Sequence, residues 1–304
     1  MLCSGCSGMM GTALREALVR NGVGVVQLVR RAPRGSGEIQ WDPQKRVMAW
    51  ANQRGDEGPL EGLEAAVHLG GVNLSERRWT PEYKREIEAS RVESTKVLAT
   101  VLAGLKRPPK TLLVASATGF YGNRGDEILD ERSSEGKGFL PEICARWEAA
   151  SEAAAKVGIR VVHLRFGVVL GPGGALKKML PIFRLGLGGR LGSGQQWMSW
   201  IGLGDAVRAM LFAMNTESLS GPVNLVAPNP VTNAEFTQAL GRAVHRPALL
   251  PVPAVALRLM FGEMADEALL ASTRAVPGKL MAAGFRFEEP GVSGALGAVV
   301  GSRQ

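Results

Sequence analysis

The stretch Ser4-Gly5-Cys6-Ser7-Gly8-Met9-Met10-Gly11 places a glycine at every third position near the start of the chain. Apolar residues at helical spacing follow, and Gly22 stands where a left-handed cap would end that helix. A glycine-rich loop that opens a helix suits a phosphate, because free backbone N–H groups converge there and the helix dipole favours an anion. Glycine also permits positive φ and lets the backbone approach a pyrophosphate closely.

The glycine spacing alone does not decide between an ordinary turn and a dinucleotide-binding loop, since 39 of the 304 residues are glycine. Residues 23–29 favour the dinucleotide loop, because they read as a buried parallel strand that completes a β-loop-α-β unit. The strand leads into Arg30-Arg31, where an NAD-binding unit would carry an acid for the ribose 2′-hydroxyl. Arginines there suit the 2′-phosphate of NADP, and a pair of solvated surface arginines is the alternative.

The first predicted strand is short. Only residues 1–4 precede Gly5, whereas a strand usually has about five or six residues. We therefore expect the natural polypeptide to begin several residues upstream of Met1.

Cys3 and Cys6 form a Cys-x-x-Cys pair at the same place, a spacing that near a βαβ pattern can indicate a redox pair. With Cys144 the chain has 3 cysteines, too few for a disulfide framework. No second Cys-x-x-Cys or paired histidine completes a zinc site, so no metal is predicted. Cys3 would lie inside a strand and Cys6 in the glycine loop, which favours a structural role over redox chemistry.

The composition is that of an ordinary globular protein, with 45% hydrophobic and 21% charged residues. The net charge of +8 suggests an anionic partner, but no dense Lys/Arg run or basic-aromatic interleaving is present. We therefore predict no nucleic-acid partner and a basic surface that accepts anionic small molecules. No apolar run approaches the roughly 18 residues of a membrane span, and the start lacks the apolar core of a signal peptide, so we expect no membrane association and a cytoplasmic location.

Compact apolar strands alternate with helical patterns along the first half of the chain. Strands are predicted at 65–69, 111–115 and 159–164, with helices at 81–105 and 140–157, and loops with a short strand at 32–58. The alternation predicts an α/β fold with a Rossmann-type, doubly wound parallel sheet. Residues 1–171 are expected to form an NAD(P)-binding domain, and residues 172–304 mainly a small mixed C-terminal substrate lobe. One late strand and helix, at about 205–226, are expected to return to the first domain.

A glycine-rich stretch leads into Gln195-Gln196-Trp197-Met198-Ser199-Trp200. Aromatic plates with a few orienting amides are typical of a ligand pocket. Trp197 and Trp200 can equally seal the junction between two lobes, and the sequence leaves both interpretations open.

Together these motifs resemble the extended short-chain dehydrogenases/reductases, and more narrowly their atypical group of epimerase family, or sugar-nucleotide epimerase-like, proteins. The resemblance runs almost end to end and implies a Rossmann domain that binds NADP(H). It also implies a small-molecule substrate, with an anion or a nucleotide sugar as the candidates, and leaves a homodimer as an open expectation. By position, it assigns cofactor contacts to Gly5, Gly8, Met9, Met10, Gly11, Arg30, Arg31, Leu69, Gly70, Glu86, Arg91 and Val169.

The chain departs from the wider superfamily in its catalytic pair. Active members use a tyrosine with a lysine four residues on, whose ammonium lowers the pKa of the phenol. Neither Tyr83 nor Tyr121 has a lysine at that spacing, and at the corresponding helix the residues are Cys144 and Glu148. Because a nearby carboxylate raises the pKa of a thiol, Cys144 is a poor replacement for the tyrosine.

Ser116 and Tyr121 remain as catalytic candidates, with Thr118 as a further hydroxyl that can hold a substrate oxygen. We expect an NADP(H)-binding oxidoreductase-like or epimerase-like protein of atypical mechanism. The alternative is a non-catalytic NADPH-binding redox sensor or regulatory protein, since family members have been labelled as related to cell division.

Overall fold

The computed structural model describes residues 1–43, 45, 47–48 and 58–301. In chain order its strands are β1 (Leu2–Ser4), β2 (Val26–Val29), β3 (Glu38–Asp42), β4 (Val47–Met48), β5 (Ala65–His68), β6 (Thr111–Ala117), β7 (Ile128–Leu129), β8 (Arg160–Phe166), β9 (Val168–Leu170), β10 (Trp197–Met198), β11 (Trp200–Gly202), β12 (Gly221–Leu225), β13 (Val231–Thr232) and β14 (Arg274–Ala275). Its α-helices are α1 (Met9–Arg20), α2 (Pro81–Glu88), α3 (Ser94–Ala103), α4 (Phe139–Ala149), α5 (Glu152–Lys156), α6 (Gly174–Arg184), α7 (Leu203–Asn215), α8 (Asn233–Ala243), α9 (Ala254–Phe261), α10 (Gly278–Ala282) and α11 (Val292–Gly301).

The main sheet has the strand order β12-β8-β6-β5-β1-β2-β3-β4. All neighbouring strands are parallel except β4, which pairs antiparallel with β3 at the edge. The Rossmann-type α/β fold predicted from the sequence is therefore confirmed. β1 lies between β2 and β5, so the strands that follow it in the chain are added first on one side of β1 and then on the other. Ligands bind outside the carboxyl ends of parallel strands at such a point.

Both faces of the sheet are covered, as a parallel sheet requires. On one face α1, α7 and α10 contribute Leu14, Met210 and Leu280 to a buried cluster. On the other face α3 and α4 contribute Leu98 and Trp147 to a second cluster. Burial of each large apolar side chain stabilises the fold by roughly 1.5–3 kcal/mol.

Two predicted helices are interrupted. Residues 81–105 form α2, a π-helical turn at Ala89–Glu93 and α3, with the Ser94 hydroxyl donating to the carbonyl of Ser90 at 2.6 Å. Residues 140–157 divide into α4 and α5, and the Ser151 hydroxyl donates to the carbonyl of Glu148 at the break. Serine hydroxyls that bond to the backbone compete with regular helix hydrogen bonds, which an apolar periodicity does not reveal. The strand expected within 32–58 is β3, and part of that stretch lies outside the described residues.

The later part of the chain packs around its own apolar cluster. Trp200 and Phe236 are fully buried there between α6, α8 and α11. A capping box formed by Thr232 and Glu235 opens α8. Glu267 accepts the N–H groups of Phe139 and Leu140 at 3.0 and 2.9 Å, which fastens this part to the N-terminus of α4. Among the described helices, none is long and apolar enough to cross a membrane.

Candidate functional site

The glycine loop between β1 and α1 is closed by contacts that leave no room for side chains. Gly5 has φ +75°, and a Cβ on it would lie 2.8 Å from the carbonyl oxygen of Leu69. A Cβ on Gly11 would lie 2.3 Å from the carbonyl oxygen of Gly5. At Gly8 the nearest atom to a Cβ would be 3.5 Å away, and Gly8 is the N-cap of α1. Packing therefore requires glycine at positions 5 and 11, whereas Gly8 keeps the start of the helix clear of a side chain.

The N-terminus of α1 offers backbone N–H groups to an anion. No side chain caps this helix, and its first turn has no acidic residue. Met9 turns its side chain towards the segment after β9, where its sulfur accepts the N–H of Gly173 at 3.2 Å. Met10 packs against the core beneath α1. The site thus presents backbone rather than side-chain groups, which is the arrangement that binds pyrophosphates.

Arg30 and Arg31 follow β2 at the same edge of the sheet, and both are exposed. Arg31 donates two hydrogen bonds to Glu38, at 2.7 and 2.6 Å, and this pairing lowers the pKa of the Glu38 carboxyl to about 2. No carboxylate among the described residues forms an ion pair with Arg30. The end of β2 therefore carries one guanidinium that Glu38 orients and a second that has no ion-pair partner within the part of the chain that the structure describes.

The end of β5 borders the glycine loop on its other side. The N–H of Leu69 donates to the carbonyl of Ser4 at 3.1 Å, and Gly70 lies against the ring of His68. Val169, on β9, packs against the same apolar cluster as Leu69. The structure thus brings Leu69 and Gly70 next to Gly5.

Arg91 and Glu86 are placed differently from each other. Arg91 reaches back from the π-helical turn to donate to the carbonyl of Val72 at 3.0 Å, and it stacks on Trp147. Its guanidinium therefore fixes the segment after Gly70, and burial lowers its pKa. Glu86 faces Arg77 at 3.7 Å on the outer side of α2.

His68 is a core residue. It is fully buried and hydrogen bonds to the hydroxyls of Ser4 and Ser94, the latter at 3.0 Å. Burial lowers its pKa to about 4, so it is neutral at physiological pH. Its role is to join β1, β5 and α3 beneath the glycine loop.

At the end of β6 the hydroxyl of Ser116 is committed to a neighbour. It donates to Glu148 at 2.7 Å, and Glu148 also accepts two hydrogen bonds from Arg165, each 2.8 Å long. The side chains of Arg165 and Glu148 are 4% and 11% exposed. Glu148 is thus a largely buried carboxylate that is neutralised by an arginine from β8.

Tyr121 belongs to the same cluster. Its hydroxyl donates to Asn224 at 2.7 Å and accepts from Arg165 at 3.1 Å, and the residue is 0% exposed. Burial raises the pKa of the phenol. Asn224 is itself held by Glu131, which accepts its N–H at 3.0 Å. We call Ser116, Tyr121, Glu148, Arg165 and Asn224 the buried polar cluster.

Cys144 lies one helical turn before Glu148, close to Gly119 and the backbone of Ala117. Burial and the nearby Glu148 raise the pKa of its thiol to about 12, which confirms the expected direction. Thr118 begins the 3₁₀ turn after β6 and is half-buried, without a hydrogen-bond partner for its hydroxyl among the described residues. Of the hydroxyls of Ser116, Tyr121 and Thr118, only that of Thr118 has no acceptor among the described residues.

Sequence reasoning missed Arg165, Asn224 and Glu131. The signal for Arg165 was a charge near the end of strand β8, directly after Leu164, which is fully buried. A buried charge requires a partner, so an acid elsewhere had to meet it. No local pattern indicated which acid that would be.

The junction residues are mostly structural. Trp200 is fully buried and donates to the carbonyl of Asn229, while Gln196 is buried and donates to two backbone carbonyls. Trp197 is half-buried, donates to Asp126 at 2.7 Å and is stacked by Arg274 at 4.0 Å. The interpretation that a tryptophan seals the junction between the two lobes therefore fits Trp200. Trp197 lies at the surface between the two parts of the chain.

Comparison with known proteins identifies the family that this chain resembles. A family model described as "NAD dependent epimerase/dehydratase family" matches residues 1–225, and a model described as a domain of unknown function (DUF1731) matches residues 252–299. The chain is 48% identical to "Epimerase family protein Mb2239" of Mycobacterium bovis over 295 residues, which are 97% of this chain and 95% of that protein.

Solved structures of epimerase proteins superpose on this chain over almost its whole length. Human epimerase family protein SDR39U1 with NADPH superposes with a TM-score of 0.89 and 34% identity, covering 99% of this chain and 98% of that one. A nucleoside-diphosphate sugar epimerase from Corynebacterium glutamicum superposes with a TM-score of 0.79 and 34% identity, covering 99% of this chain and 58% of that one.

Proposed function

We propose that this chain, which belongs to the NAD dependent epimerase/dehydratase family, is an NADP(H)-dependent oxidoreductase-like or epimerase-like protein of atypical mechanism that acts on a small molecule. The main support is the end of β2, where Arg30 and Arg31 stand in place of an acid and Glu38 orients Arg31. An acid at this position would repel a 2′-phosphate, whereas a guanidinium can donate charge-assisted hydrogen bonds to it. The human relative was solved with NADPH.

The remaining contacts fit a dinucleotide. Gly5 and Gly11 bring the loop close to α1, Gly8 keeps the helix start clear, and Leu69 and Gly70 form the adjacent wall. When bound, NADP(H) would supply the hydride chemistry, and the residues of the chain would hold and orient the cofactor. Residues 172–304 would then cover the substrate.

Calorimetric titration with NADPH and NADH tests the cofactor assignment. Arg30→Asp should weaken NADPH binding by about 1–3 kcal/mol and change NADH binding little, because only NADPH presents a 2′-phosphate. Lys96→Asp makes the same charge change on the exposed side of α3 and is the control. Equal losses for both cofactors in Arg30→Asp would contradict the proposed 2′-phosphate contact.

At the substrate end, we assign the contact with a substrate oxygen to Thr118. Ser116 and Tyr121 direct their protons to Glu148 and Asn224, so neither is free to protonate a substrate. The nucleoside-diphosphate sugar epimerase among the structural relatives makes nucleotide sugars the first class to test. Loss of NADPH turnover in Thr118→Val, with turnover retained in Tyr121→Phe, is the expected result.

A second function is favoured by one observation. The residues at the positions of the catalytic pair are a thiol with a pKa of about 12 and a carboxylate paired with Arg165. Neither is suited to protonate a substrate oxygen near neutral pH, which supports a non-catalytic NADPH-binding sensor or regulatory protein. Tight NADPH binding without hydride exchange across a panel of carbonyl compounds and nucleotide sugars would favour this second function.

A further inference from the structure

Two stretches in the later part of the chain contain no acidic residue. Residues 172–204 and 236–262 have neither aspartate nor glutamate, and their lysines and arginines are Lys177, Lys178, Arg184, Arg190, Arg242, Arg246 and Arg258. Among the described residues, only Arg258 of this set forms an ion pair, with Asp266. The two stretches thus carry seven positive charges and no negative one, in a chain whose net charge is +8.

The fold places the two stretches side by side. The N–H of Leu250 donates to the carbonyl of Gly188 at 3.2 Å. The guanidinium of Arg246 donates to the carbonyl of Arg184, also at 3.2 Å. The end of α6 and the loop that precedes α9 therefore form one surface.

The helix α9 borders the same surface. The Lys178 ammonium, on α6, donates to the carbonyl of Ser75 at 2.6 Å. Three residues further along that segment, the Arg78 guanidinium donates to the carbonyl of Leu259, on α9, at 3.3 Å. The two helices therefore lie against the same short segment of the chain.

Large apolar side chains are exposed in the same two stretches. Of the thirteen exposed large apolar side chains among the described residues, eight lie here, namely Ile182, Leu185, Leu187, Leu249, Leu250, Val255, Leu259 and Met260. α6 buries the stripe Leu176, Leu180 and Phe183, and α9 buries Leu257 alone, so these other side chains remain in water. We call the eight side chains, together with the exposed Arg184, Arg190, Arg242 and Arg246, the cationic apolar face.

The acidic residues that follow α9 are each engaged elsewhere. Glu263 pairs with Lys84, and Asp266 pairs with Arg258. Glu267 accepts the N–H groups at the start of α4. These carboxylates therefore do not neutralise the arginines of the cationic apolar face.

We infer that the cationic apolar face binds the surface of a membrane that contains anionic lipids. Leucines on loops can enter the boundary between headgroups and acyl chains, while the adjacent arginines meet the anionic headgroups. A second copy of the chain fits poorly, because a two-fold interface would bring like charges together. A nucleic acid would contact the arginines and leave the leucines in water. The inference goes beyond the proposed function and does not depend on the cofactor.

The expectation of no membrane association rests on the lack of a long apolar run in the sequence. Binding at a membrane surface needs no such run, because binding strength follows the apolar area buried and the attraction to anionic lipids. Here the apolar side chains come from separate stretches that only folding brings together.

Co-sedimentation of the full chain with lipid vesicles tests the inference. Vesicles of phosphatidylcholine mixed equally with phosphatidylserine should bind the chain at least about 10-fold more tightly than vesicles of phosphatidylcholine alone, and high salt should reduce the difference. No sedimentation with the mixed vesicles, or equal binding to both kinds, would overturn the inference.

Substitution of the leucines tests the apolar contribution. Leu185→Asp combined with Leu249→Asp should weaken binding to the mixed vesicles by about 10-fold or more. The control, Val19→Asp combined with Val157→Asp, adds the same two carboxylates at exposed apolar positions outside the face. Equal losses in the two double variants would contradict a docking surface at this place.

Substitution of the arginines tests the charge contribution. Arg184→Glu combined with Arg242→Glu should weaken binding by about 10-fold or more, whereas the control, Arg20→Glu combined with Lys96→Glu, should have a much smaller effect. All four side chains are exposed, and urea denaturation checks that each variant folds. A loss with the arginine pair but none with the leucine pair would indicate a purely electrostatic site, such as one for a nucleic acid, and would overturn the inference.

A fluorescent label reports insertion directly. The native cysteines Cys3, Cys6 and Cys144 are buried, so an environment-sensitive fluorophore should react with Leu187→Cys at the new thiol. Its emission should shift to the blue when the mixed vesicles are added. The same label on Ile128→Cys, a position that is 60% exposed in β7, should not shift. Absence of a shift at position 187 would overturn the inference.

Discussion

The glycine loop follows β1, and the buried polar cluster lies at the carboxyl ends of β6, β8 and β12, yet the two regions use their polar groups in opposite ways. The loop presents backbone N–H groups at a helix start that no side chain caps. In the cluster, Ser116, Tyr121, Glu148 and Arg165 direct their polar atoms at one another. No buried side-chain polar atom among the described residues lacks a partner. The first region keeps its backbone N–H groups clear of side chains, and the second satisfies its polar groups internally.

The two regions differ because one depends on backbone geometry and the other on particular side chains. Nucleotide binding depends on backbone geometry, which a few glycines preserve. Proton transfer depends on the pKa values of particular side chains. A carboxylate in place of an ammonium reverses the local charge and so changes the pKa values of its neighbours. Arg165 balances the charge of Glu148 and occupies both of its carboxylate oxygens.

The largest effect is expected from breaking the ion pair of the cluster. Arg165→Met should lower the free energy of unfolding by about 3–5 kcal/mol, because it leaves Glu148 buried without a counter-charge. Arg165→Met combined with Glu148→Leu should recover most of the loss. Arg132→Met breaks an exposed pair with Asp130 and is expected to cost below about 1 kcal/mol. Urea denaturation measures all of these, and equal losses at Arg165 and Arg132 would contradict a stabilising cluster.

The next effect concerns the glycine loop. Gly11→Ala should destabilise the fold by about 3 kcal/mol, since its Cβ would meet a backbone oxygen at 2.3 Å. Gly8→Ala has 3.5 Å of clearance and should change stability by less than about 1 kcal/mol. Paired denaturation and NADPH titration separate the two roles. A Gly8→Ala variant that is as unstable as Gly11→Ala would show that both glycines serve packing alone.

The smallest effect is a pH dependence that His68 brings to the floor of the glycine loop. Its pKa is about 4 in the folded chain against 6.5 as the ordinary value, so the unfolded state binds the proton first as pH falls. Its stabilising contribution is complete above pH 6.5 and should decline by about 2 kcal/mol by pH 5.

His68→Asn should flatten that part of the curve of unfolding free energy against pH. His163, whose pKa burial also lowers, should leave a remaining slope. His245→Asn, which replaces an exposed histidine in the same way, is the matched control. A curve for His68→Asn as steep as the wild type would exclude His68 as the source.

Much of the cofactor end could be predicted because its signals are local. Glycine spacing, the helix after it and the arginines after the next strand all lie within the first 31 residues, and each follows from backbone sterics or charge. The loss of the tyrosine–lysine pair was likewise visible from residue spacing. Interruptions of the two long helices were not visible, because Ser94 and Ser151 act through hydrogen bonds that leave the apolar periodicity intact.

The sequence by itself determined the α/β class, the glycine loop and the cationic end of β2, since short-range spacing and steric limits encode them. Only the tertiary structure decided that Arg165 meets Glu148, that Tyr121 bonds to Asn224 103 positions away, and that Glu267 holds the start of α4. Such partners are set by how strands and helices align after packing. Many acids and amides in the chain could satisfy a given buried donor, and only the folded arrangement selects one.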